Sequence, residues 1–596
     1  MNTRIGPVAA SPTALRIRDL NVWFDARDDR RAQAFHALQG IDLDVAPGER
    51  VGLVGESGSG KTTTILAAMG LLPASATVAG AVTLEANGPN LLSAGERGIR
   101  PHRWSDIAMV FQGAMSAMNP VHTVGWQIRE TLAAHGVAIG EAARARTREL
   151  LAQVGLPAGT EDRYPHQLSG GMKQRVVIAM ALCCEPKVLL ADEPTTALDV
   201  VVQDQILRLL VKLSEELQLG LLLVTHDLGV VAQACTRAAV MRDGRIIEEG
   251  RVEDLYLAPA HTYTRELFEA TPDLAAMPRR TPAADGTTLL SVRDVTVVYG
   301  GRRRRSFSAP GAIDFAGTET FTPETVTEMI ATRSVAADDV SRDLTETASN
   351  APRRAAVDRV GLDVREGELV ALVGQSGCGK TTLLQTLIGL QRVAEGSIRF
   401  RGQEVSAAGA RTWRALRRDI QLIYQDPYEA LDSRDRIADI VAEPLRIHRI
   451  ASSASDRRRR VDEALREVGL DPDVVARRFP HELSGGQRQR VAIAASIVLR
   501  PRLLLADEPV SMLDVSVRTG VLALLDRLRR EHRMGILMIT HDLSTAAAYA
   551  DRIVVMREGR VVEQADAWDV VNSPASPYTR HLIETVPSPD PRRRRA

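Results

Sequence analysis

Short apolar runs alternate with amphipathic stretches along this chain, and the alternation predicts strands and helices in turn. The runs Val51–Val54, Val188–Leu190 and Leu221–Val224 are typical of strands buried on both faces of a parallel sheet. The stretch Asp204–Leu217 between two of these runs predicts a helix. A later run that turns at Asp243-Gly244 predicts a hairpin. The pattern therefore predicts an α/β fold.

One set of sequence motifs occurs twice in the same order. The first copy of the set consists of a glycine-rich loop at 55–62, Leu-Ser-Gly-Gly at 168–171, Ala-Asp-Glu-Pro at 191–194 and Thr-His-Asp at 225–227. The same four return at 374–381, 483–486, 506–509 and 540–542. From Leu-Ser-Gly-Gly onward, each second copy lies 315 residues after the first. Four motifs repeated in register indicate two fused ATP-binding units.

The repeat predicts how the chain is divided. The expected segments are a tail at 1–14, a first ATPase domain at 15–270, a linker at 271–288, a second ATPase domain at 289–583 and an Arg-rich tail at 584–596. The halves differ mainly by a polar insertion at about 300–354 in the second domain, in which 321–335 predicts a helix. We expect this insertion to be mostly flexible.

The balance of charges bears on which classes of partner the chain is expected to bind. The chain has 75 basic and 75 acidic residues, so no overall field draws it to nucleic acid. Three arginine quartets, at 302–305, 457–460 and 592–595, are interpreted as solvated loops and a frayed tail. The sequence has no secretory signal and no apolar run long enough to span a bilayer, so we expect a cytoplasmic chain.

The glycine-rich loops have the sequence context of phosphate-binding loops. Each follows a predicted strand and opens a predicted helix, so backbone N–H groups are expected to face the phosphates. Lys61 and Lys380 are expected to reach the β- and γ-phosphates, and the hydroxyls of Thr62 and Thr381 to bind Mg²⁺. The chain contains only five lysines, and two of them stand in these loops. This usage supports two working nucleotide sites.

Carboxylates and histidines follow the next predicted strands. Asp192 and Asp507 end strands beside the loops, where an aspartate suits Mg²⁺. The adjacent Glu193 and Glu508 are expected to polarise the attacking water. Two histidines end further apolar strands in register with these motifs, which predicts a contact to the γ-phosphate. They are His226 and His541.

Leu-Ser-Gly-Gly followed by Gln-Arg resembles the signature of ATP-binding cassette (ABC) ATPases, and the resemblance covers nearly the whole chain. It implies, in each half, a mainly parallel sheet core, an antiparallel β subdomain and a helical signature subdomain. It also implies head-to-tail pairing of the halves within one chain, with each ATP between one phosphate loop and the other half's signature. Gln112 and Gln425 match a glutamine loop that senses Mg²⁺ and faces the membrane partner. Asp199 and Asp514 match the aspartate loop at the seam. Phe24 and Tyr299 match the aromatic residue that stacks on adenine.

Together these arguments predict two sets of nucleotide contacts besides the aromatic, glutamine and aspartate positions. The first set is Gly55, Ser57, Gly58, Gly60, Lys61, Thr62, Thr63, Ser169, Gly170 and Gly171. The second set is Gly374, Ser376, Gly377, Gly379, Lys380, Thr381, Thr382, Ser484, Gly485 and Gly486. The expected Mg²⁺ residues are Thr62, Gln112, Asp192, Thr381, Gln425 and Asp507.

Two further elements resemble the dipeptide and oligopeptide importers of this family. They are the segments after the glutamines and the tails Pro-Ala-His-Thr-Tyr-Thr at 259–264 and Pro-Ala-Ser-Pro-Tyr-Thr at 574–579. The resemblance implies two membrane permease subunits, an extracytoplasmic binding protein and a peripheral position on the cytoplasmic face of the membrane. It implies short peptides as cargo, with glutathione, nickel chelates or another solute as alternatives. Many relatives have an iron–sulfur centre after the tail, but no cysteine follows Cys235 or Cys378 in its half, so we expect none.

A soluble tandem cassette protein is the alternative of a different class. The type that acts on ribosomes has a long charged helical linker, whereas the linker here is short and rich in Pro and Ala. The type that acts on DNA needs many zinc-binding cysteines, and this chain has four cysteines. The sequence therefore favours the importer.

Overall fold

A computed structural model describes most of the 596-residue chain. The described residues are 13–25, 34–85, 88–93, 95–111, 113, 117–196, 198–277, 279, 286–299, 355–426, 430–511 and 513–594. The insertion at 300–354, with its predicted helix at 321–335, and Gln112 lie outside these residues.

The strands follow the same order in the two halves, except that the second adds the short strand Gln403–Glu404. Those of the first half are Leu15–Phe24 (β1), Phe35–Val45 (β2), Arg50–Val54 (β3), Ala76–Thr83 (β4), Ile107–Val110 (β5), Val188–Asp192 (β6), Gly220–Thr225 (β7), Arg237–Arg242 (β8) and Arg245–Arg251 (β9). Those of the second half are Thr288–Val297 (β10), Val357–Arg365 (β11), Leu369–Val373 (β12), Glu395–Phe400 (β13), Gln403–Glu404 (β14), Ile420–Ile423 (β15), Leu503–Asp507 (β16), Gly535–Ile539 (β17), Arg552–Arg557 (β18) and Arg560–Asp566 (β19).

The helices repeat in the same way. The first half has Lys61–Ala68 (α1), Gly95–Ile99 (α2), Val124–Ala134 (α3), Gly140–Gln153 (α4), Gly170–Leu182 (α5), Val200–Glu216 (α6), Leu228–Ala234 (α7), Val252–Leu257 (α8) and Thr262–Ala270 (α9). The second half has Lys380–Leu387 (α10), Ala410–Leu416 (α11), Ile437–His448 (α12), Ala454–Glu467 (α13), Pro472–Val475 (α14), Gly485–Ile497 (α15), Val515–His532 (α16), Leu543–Tyr549 (α17), Ala567–Asn572 (α18) and Pro577–Thr585 (α19).

The order of strands brings the motifs to one edge of each core sheet. In the first half the order is β5-β6-β7-β3-β8-β9, and all neighbours are parallel except β8 and β9. The strands that precede the phosphate loop, the Asp-Glu pair and the histidine are therefore adjacent and end together. The second half repeats this order as β15-β16-β17-β12-β18-β19. In open α/β sheets, ligands bind at this carboxyl edge.

The predicted α/β class is confirmed. Each half adds an antiparallel sheet, with the order β2-β1-β4 in the first and β11-β10-β13-β14 in the second. Helices α3, α4 and α5 pack on one another beside the first core sheet, and α12, α13 and α15 do so beside the second. The predicted hairpin is present, because Asp243 and Gly244 join β8 to β9 with φ of 48° and 75°. Such left-handed pairs match the twist of the two strands.

The halves contact each other through the tail helices that follow their core sheets. Helix α9 of the first half packs on α16 of the second, and α19 of the second packs on α6 of the first. Val200 and Val201 at the start of α6 belong to the same buried apolar cluster as Leu582 and Val586 of the second tail. Each tail therefore packs against the opposite half as well as its own.

The interpretation of the C-terminal arginines as a frayed tail is wrong for Arg594. The guanidinium of Arg594 donates to the carbonyl of Ala232 at 3.1 Å and to that of Cys235, at the end of α7 in the first half. A cation suits these carbonyls because they lack helical partners. This docking could not be predicted from the sequence, since the site lies on the opposite half.

None of the described helices is both long and apolar enough to cross a membrane.

Candidate ATP sites

Both phosphate loops are tight turns whose backbone approaches a neighbouring strand closely. Gly55 has a φ of 155°, and a Cβ there would lie 2.2 Å from the carbonyl oxygen of Met241 on β8. Gly374 has a φ of 153° and meets the carbonyl of Met556 at the same distance. A side chain at either glycine would push the loop off the sheet. The loops therefore depend on glycine at their first position.

The lysine of each loop is buried and bound to its own loop. The Nζ of Lys61 donates to the carbonyls of Gly55 at 2.7 Å and Glu56 at 2.8 Å. The Nζ of Lys380 makes the matching bonds at 2.6 and 3.0 Å to the carbonyls of Gly374 and Gln375. Burial lowers the pKa of Lys61, although nearby carboxylates oppose this. Each ammonium thus lies where the phosphates of a nucleotide are expected.

In the first half the predicted carboxylates and histidine come together. The Nδ1 of His226 lies 2.8 Å from Oε1 of Glu193, and the hydroxyl of Thr196 donates to Oε2 of Glu193 at 2.8 Å. Burial alone would raise the pKa of Glu193, but these bonds outweigh it and hold the pKa at about 2. Asp192 behaves oppositely, because burial raises its pKa to about 6. The glutamate is therefore ionised across neutral pH.

The second half repeats the centre, and there the glutamine is among the described donors. The Nδ1 of His541 lies 3.2 Å from Oε2 of Glu508, and Nε2 of Gln425 donates to the same oxygen at 2.9 Å. Burial opposes but does not reverse the effect of His541, so the pKa of Glu508 is lowered. Burial raises the pKa of Asp507. The predicted positions of Gln425, Asp507, Glu508 and His541 are thus brought together at one sheet edge.

The donor set beside each loop fits Mg²⁺. The hydroxyl of Thr62 donates to Oδ1 of Asp192 at 3.3 Å, and Thr381 makes the matching bond to Asp507. Hydroxyl and carboxylate oxygens are the ligands that Mg²⁺ prefers. A buried carboxylate whose pKa is raised is also stabilised by a nearby cation.

The two halves face each other across these centres. One cavity between them is lined by Ser57, Glu193 and His226 of the first half and by Lys380, Glu508 and Asp514 of the second, among other residues. Oδ2 of Asp199 accepts from the backbone N–H of Ser376 at 3.4 Å, across the seam. The charge of Asp514 in turn raises the pKa of Lys61 in the first half, against the larger effect of burial. Each aspartate loop therefore lies near the other half's phosphate loop.

The signature serines cap their own helices. Ser169 and Ser484 are exposed N-caps of α5 and α15, and each accepts from the N–H three residues on. Neither is among the described residues that line the cavity between the halves. Gly170, Gly171, Gly485 and Gly486 form the first turns of the same helices. A helix start with free N–H groups is suited to an anion.

The remaining predicted contacts differ between the halves. Tyr299 lines the cavity, is 53% exposed and has its hydroxyl 3.0 Å from that of Thr382. Phe24 is instead half-buried against the first half's apolar core. Thr63 is half-buried on α1, next to Thr62.

Sequence reasoning missed two tyrosines at these sites. The N–H of Glu56 donates to the Tyr263 hydroxyl at 3.2 Å, and the N–H of Gln375 donates to the Tyr578 hydroxyl at 3.3 Å. Both tyrosines belong to the Pro-Tyr-Thr-like tails. Their recurrence in both halves is the signal that could have pointed to a role.

Two models of known protein families match this chain. A family model described as ABC transporter matches residues 38–196 and 357–511, once in each half. The chain belongs to the ABC transporter family. A second model, oligopeptide/dipeptide transporter C-terminal region, matches residues 247–294 and 562–596. These ranges include the two tails, so the resemblance seen in the sequence is confirmed.

Two relatives of this ABC protein match along nearly its whole length. The glutathione import ATP-binding protein of Salmonella paratyphi A is 40% identical over 601 residues, which cover 98% of this chain and 91% of that protein. The protein of the same name from Escherichia coli K12 is 39% identical and covers 98% and 90%. A solved ATP-binding cassette in a dimeric post-hydrolysis state is 26% identical over 47% of this chain and 99% of its own, with a TM-score of 0.36. The ABC protein described here is an ATPase.

Proposed function

We propose that this ABC ATPase drives the inward transport of short peptides, with glutathione as the first candidate, from the cytoplasmic face of the membrane. The observation that carries the proposal is the peptide-transporter C-terminal region, which follows each of the two ATPase cores. The full-length relatives are named for glutathione import. Glutathione is itself a tripeptide, so one substrate class accommodates both findings.

Each site has the groups that ATP hydrolysis requires. Loop N–H groups and the lysine stabilise the phosphate charge, while Thr62 with Asp192, and Thr381 with Asp507, would hold Mg²⁺. The metal ion would neutralise the charge of the β- and γ-phosphate oxygens. Glu193 and Glu508, held as carboxylates, would accept a proton from the attacking water. His226 and His541 orient these carboxylates through Nδ1, and their second ring nitrogen would contact the γ-phosphate.

The two sites are proposed to be composite. The seam already places Asp199 on the opposite phosphate loop, and closure of the halves would bring Ser169 toward Lys380 and Ser484 toward Lys61. Ser169→Arg should then abolish nucleotide trapping at the Lys380 site, and Ser484→Arg at the Lys61 site. Photolabelling of each half with an azido-ATP analogue, followed by cleavage in the linker, would measure both. Loss at each variant's own loop would contradict head-to-tail pairing.

The proposed partners are two permeases and, through them, an extracytoplasmic binding protein. Phe111 and Tyr424 directly precede the two glutamines and are 41% and 54% exposed. Exposed aromatic side chains at this place suit a protein interface. Gln425 then joins that surface to Glu508 through one hydrogen bond. A permease that docks here would sense the catalytic centre directly.

An uptake assay would identify the transported substrate. Membrane vesicles that contain the permeases, the binding protein and this chain should take up labelled glutathione or linear tripeptides only with ATP. The Glu193→Gln/Glu508→Gln chain, which retains the fold, should give none. Uptake of a nickel chelate or a sugar without any peptide uptake would overturn the substrate but leave the ATPase intact. Co-purification of ribosomes in place of permeases would overturn the importer.

A further inference from the structure

In the first half one peptide group is bound at both ends by different parts of the chain. The carbonyl oxygen of Gly55 accepts from the Nζ of Lys61 at 2.7 Å. The N–H of the same peptide group, that of Glu56, donates to the hydroxyl of Tyr263 at 3.2 Å. The tail tyrosine thus holds the peptide group that in turn holds the phosphate-binding lysine.

The second half contains the same arrangement. The carbonyl of Gly374 accepts from Lys380 at 2.6 Å, and the N–H of Gln375 donates to the hydroxyl of Tyr578 at 3.3 Å. Burial raises the pKa of Tyr578 to about 12, so its hydroxyl stays neutral at working pH. Two copies of the same contact, built from different loop residues, argue against accident.

A cation lies over each tyrosine ring. The guanidinium of Arg242 is 4.7 Å from the centroid of Tyr263, and that of Arg557 is 5.1 Å from the centroid of Tyr578. Both arginines end the strands that precede the hairpins. Such cation–π contacts restrict the ring, so the hydroxyl is held in place rather than free to rotate away.

The helices that carry the tyrosines also contact the opposite half. Tyr578 lies on α19, which packs on α6 of the first half. The N–H of the next loop residue, Ser376, donates to the carboxylate of Asp199, which also belongs to the first half. Consecutive N–H groups of the second loop are therefore held by its own tail and by the opposite half.

We propose that Tyr263 and Tyr578 are positioning residues that fix the phosphate loops for nucleotide binding. Without the hydroxyl, the Gly55–Glu56 or Gly374–Gln375 peptide group can rotate, and the lysine loses a fixed resting position. The loop then has to be ordered when the nucleotide binds, which weakens binding. The chemical step depends on Glu193 and Glu508 instead, so its rate should hardly change. The inference concerns ATP alone and is independent of the transported substrate.

The test uses the full chain with Tyr263→Phe or Tyr578→Phe, which keep the ring and remove only the hydroxyl. We expect the KM for ATP to rise about three- to tenfold, with kcat within about twofold, as for the loss of one hydrogen bond. Nucleotide affinity measured site by site should fall only at the loop of the half that carries the change. The effect should be larger for Tyr263, because Asp199 still holds the second loop.

The matched control is Tyr256→Phe, on α8 of the first tail, where the ring packs against Phe268 away from the loop. It should leave the KM for ATP unchanged. Melting temperatures without nucleotide should agree among the three variants and the unmodified chain. An unchanged KM in both loop variants would overturn the proposal. A fall in kcat and melting temperature at constant KM would assign the tyrosines a purely structural role, which also overturns it.

Discussion

The two catalytic centres contain the same aspartate, glutamate, histidine and lysine, but different hydrogen bonds hold the glutamate in each. Glu193 receives His226 on one carboxylate oxygen and the hydroxyl of Thr196 on the other. In the second half Ser511 replaces Thr196, and its hydroxyl donates to the backbone carbonyl of Glu508 at 3.1 Å. The side chain of Glu508 is instead shared by His541 and Gln425 on one oxygen.

In the second centre the glutamine loop reaches the base directly, because Gln425 donates to Glu508. A movement of that loop that breaks the hydrogen bond from Gln425 would change the basicity of the Glu508 carboxylate. The hydroxyl of Thr196 comes from the residue three positions after Glu193 and holds the first glutamate within one turn. We infer that the sites share one chemistry and differ in whether the residue three positions after the glutamate binds its side chain or its backbone.

The largest effect should come from removing both bases. Glu193→Gln with Glu508→Gln keeps the shape and the histidine contacts but cannot accept a proton, so hydrolysis should fall at least about 100-fold. ATP binding should persist, which equilibrium titration would measure. Each single variant shows how much turnover its site supplies. Near-normal phosphate release by the double variant would sink the assignment of the bases.

Asp192→Asn should stabilise the nucleotide-free chain in a pH-dependent way. Burial raises the pKa of Asp192 to about 6 from an ordinary value of 3.8, so the fold favours the protonated form. The penalty is absent below pH 3.8 and complete as pH rises through 6, on the order of 2–3 kcal/mol. Melting temperature should therefore rise in the variant at pH 8, and about half as much at pH 5. An equal gain at both values would refute the burial argument.

Thr196→Val tests how the first glutamate is controlled. Loss of a hydrogen bond to a charged group should lower turnover at that site roughly five- to tenfold, measured with the other site silenced by Glu508→Gln. Ser511→Ala, measured with Glu193→Gln, is the matched control and should change turnover less than about twofold, because its hydroxyl serves only the backbone. Equal losses in the two variants would remove the distinction between the centres.

The smallest effect should follow deletion of residues 300–354, which makes the second half resemble the first. The segment is polar and carries none of the repeated motifs. Replacing it with a short Gly/Ser loop should leave ATPase activity within about twofold, because loop length changes stability slowly. Phosphate-release assays on the two proteins, side by side, measure this. Loss of folding or of permease binding would show that the segment packs.

The local sequence pattern predicted the strands, the helices and the motif residues, but it did not predict the long-range docking of the tails. Strand β6 and helix α6 both form where the apolar pattern predicts them. Helix α6 begins at Val200, four residues before the predicted Asp204, because Asp199 caps it. Lys61 and Glu193 meet since parallel strands end at one edge. The docking of Arg594 on α7 depends on how the second tail crosses to the first half, and the docking of Tyr263 depends on how the first tail folds back on its own loop. No periodicity in the tail encodes that path.

Nucleotide stoichiometry tests the central claim, that one chain builds two ATP sites between its own halves, most directly. The Glu193→Gln/Glu508→Gln chain would be saturated with ATP and Mg²⁺, separated from free nucleotide and weighed by native mass spectrometry. We predict a particle with the mass of one chain that retains two ATP molecules. Two ATP molecules bound only by a dimer of chains, or a single ATP per chain at saturation, would contradict it.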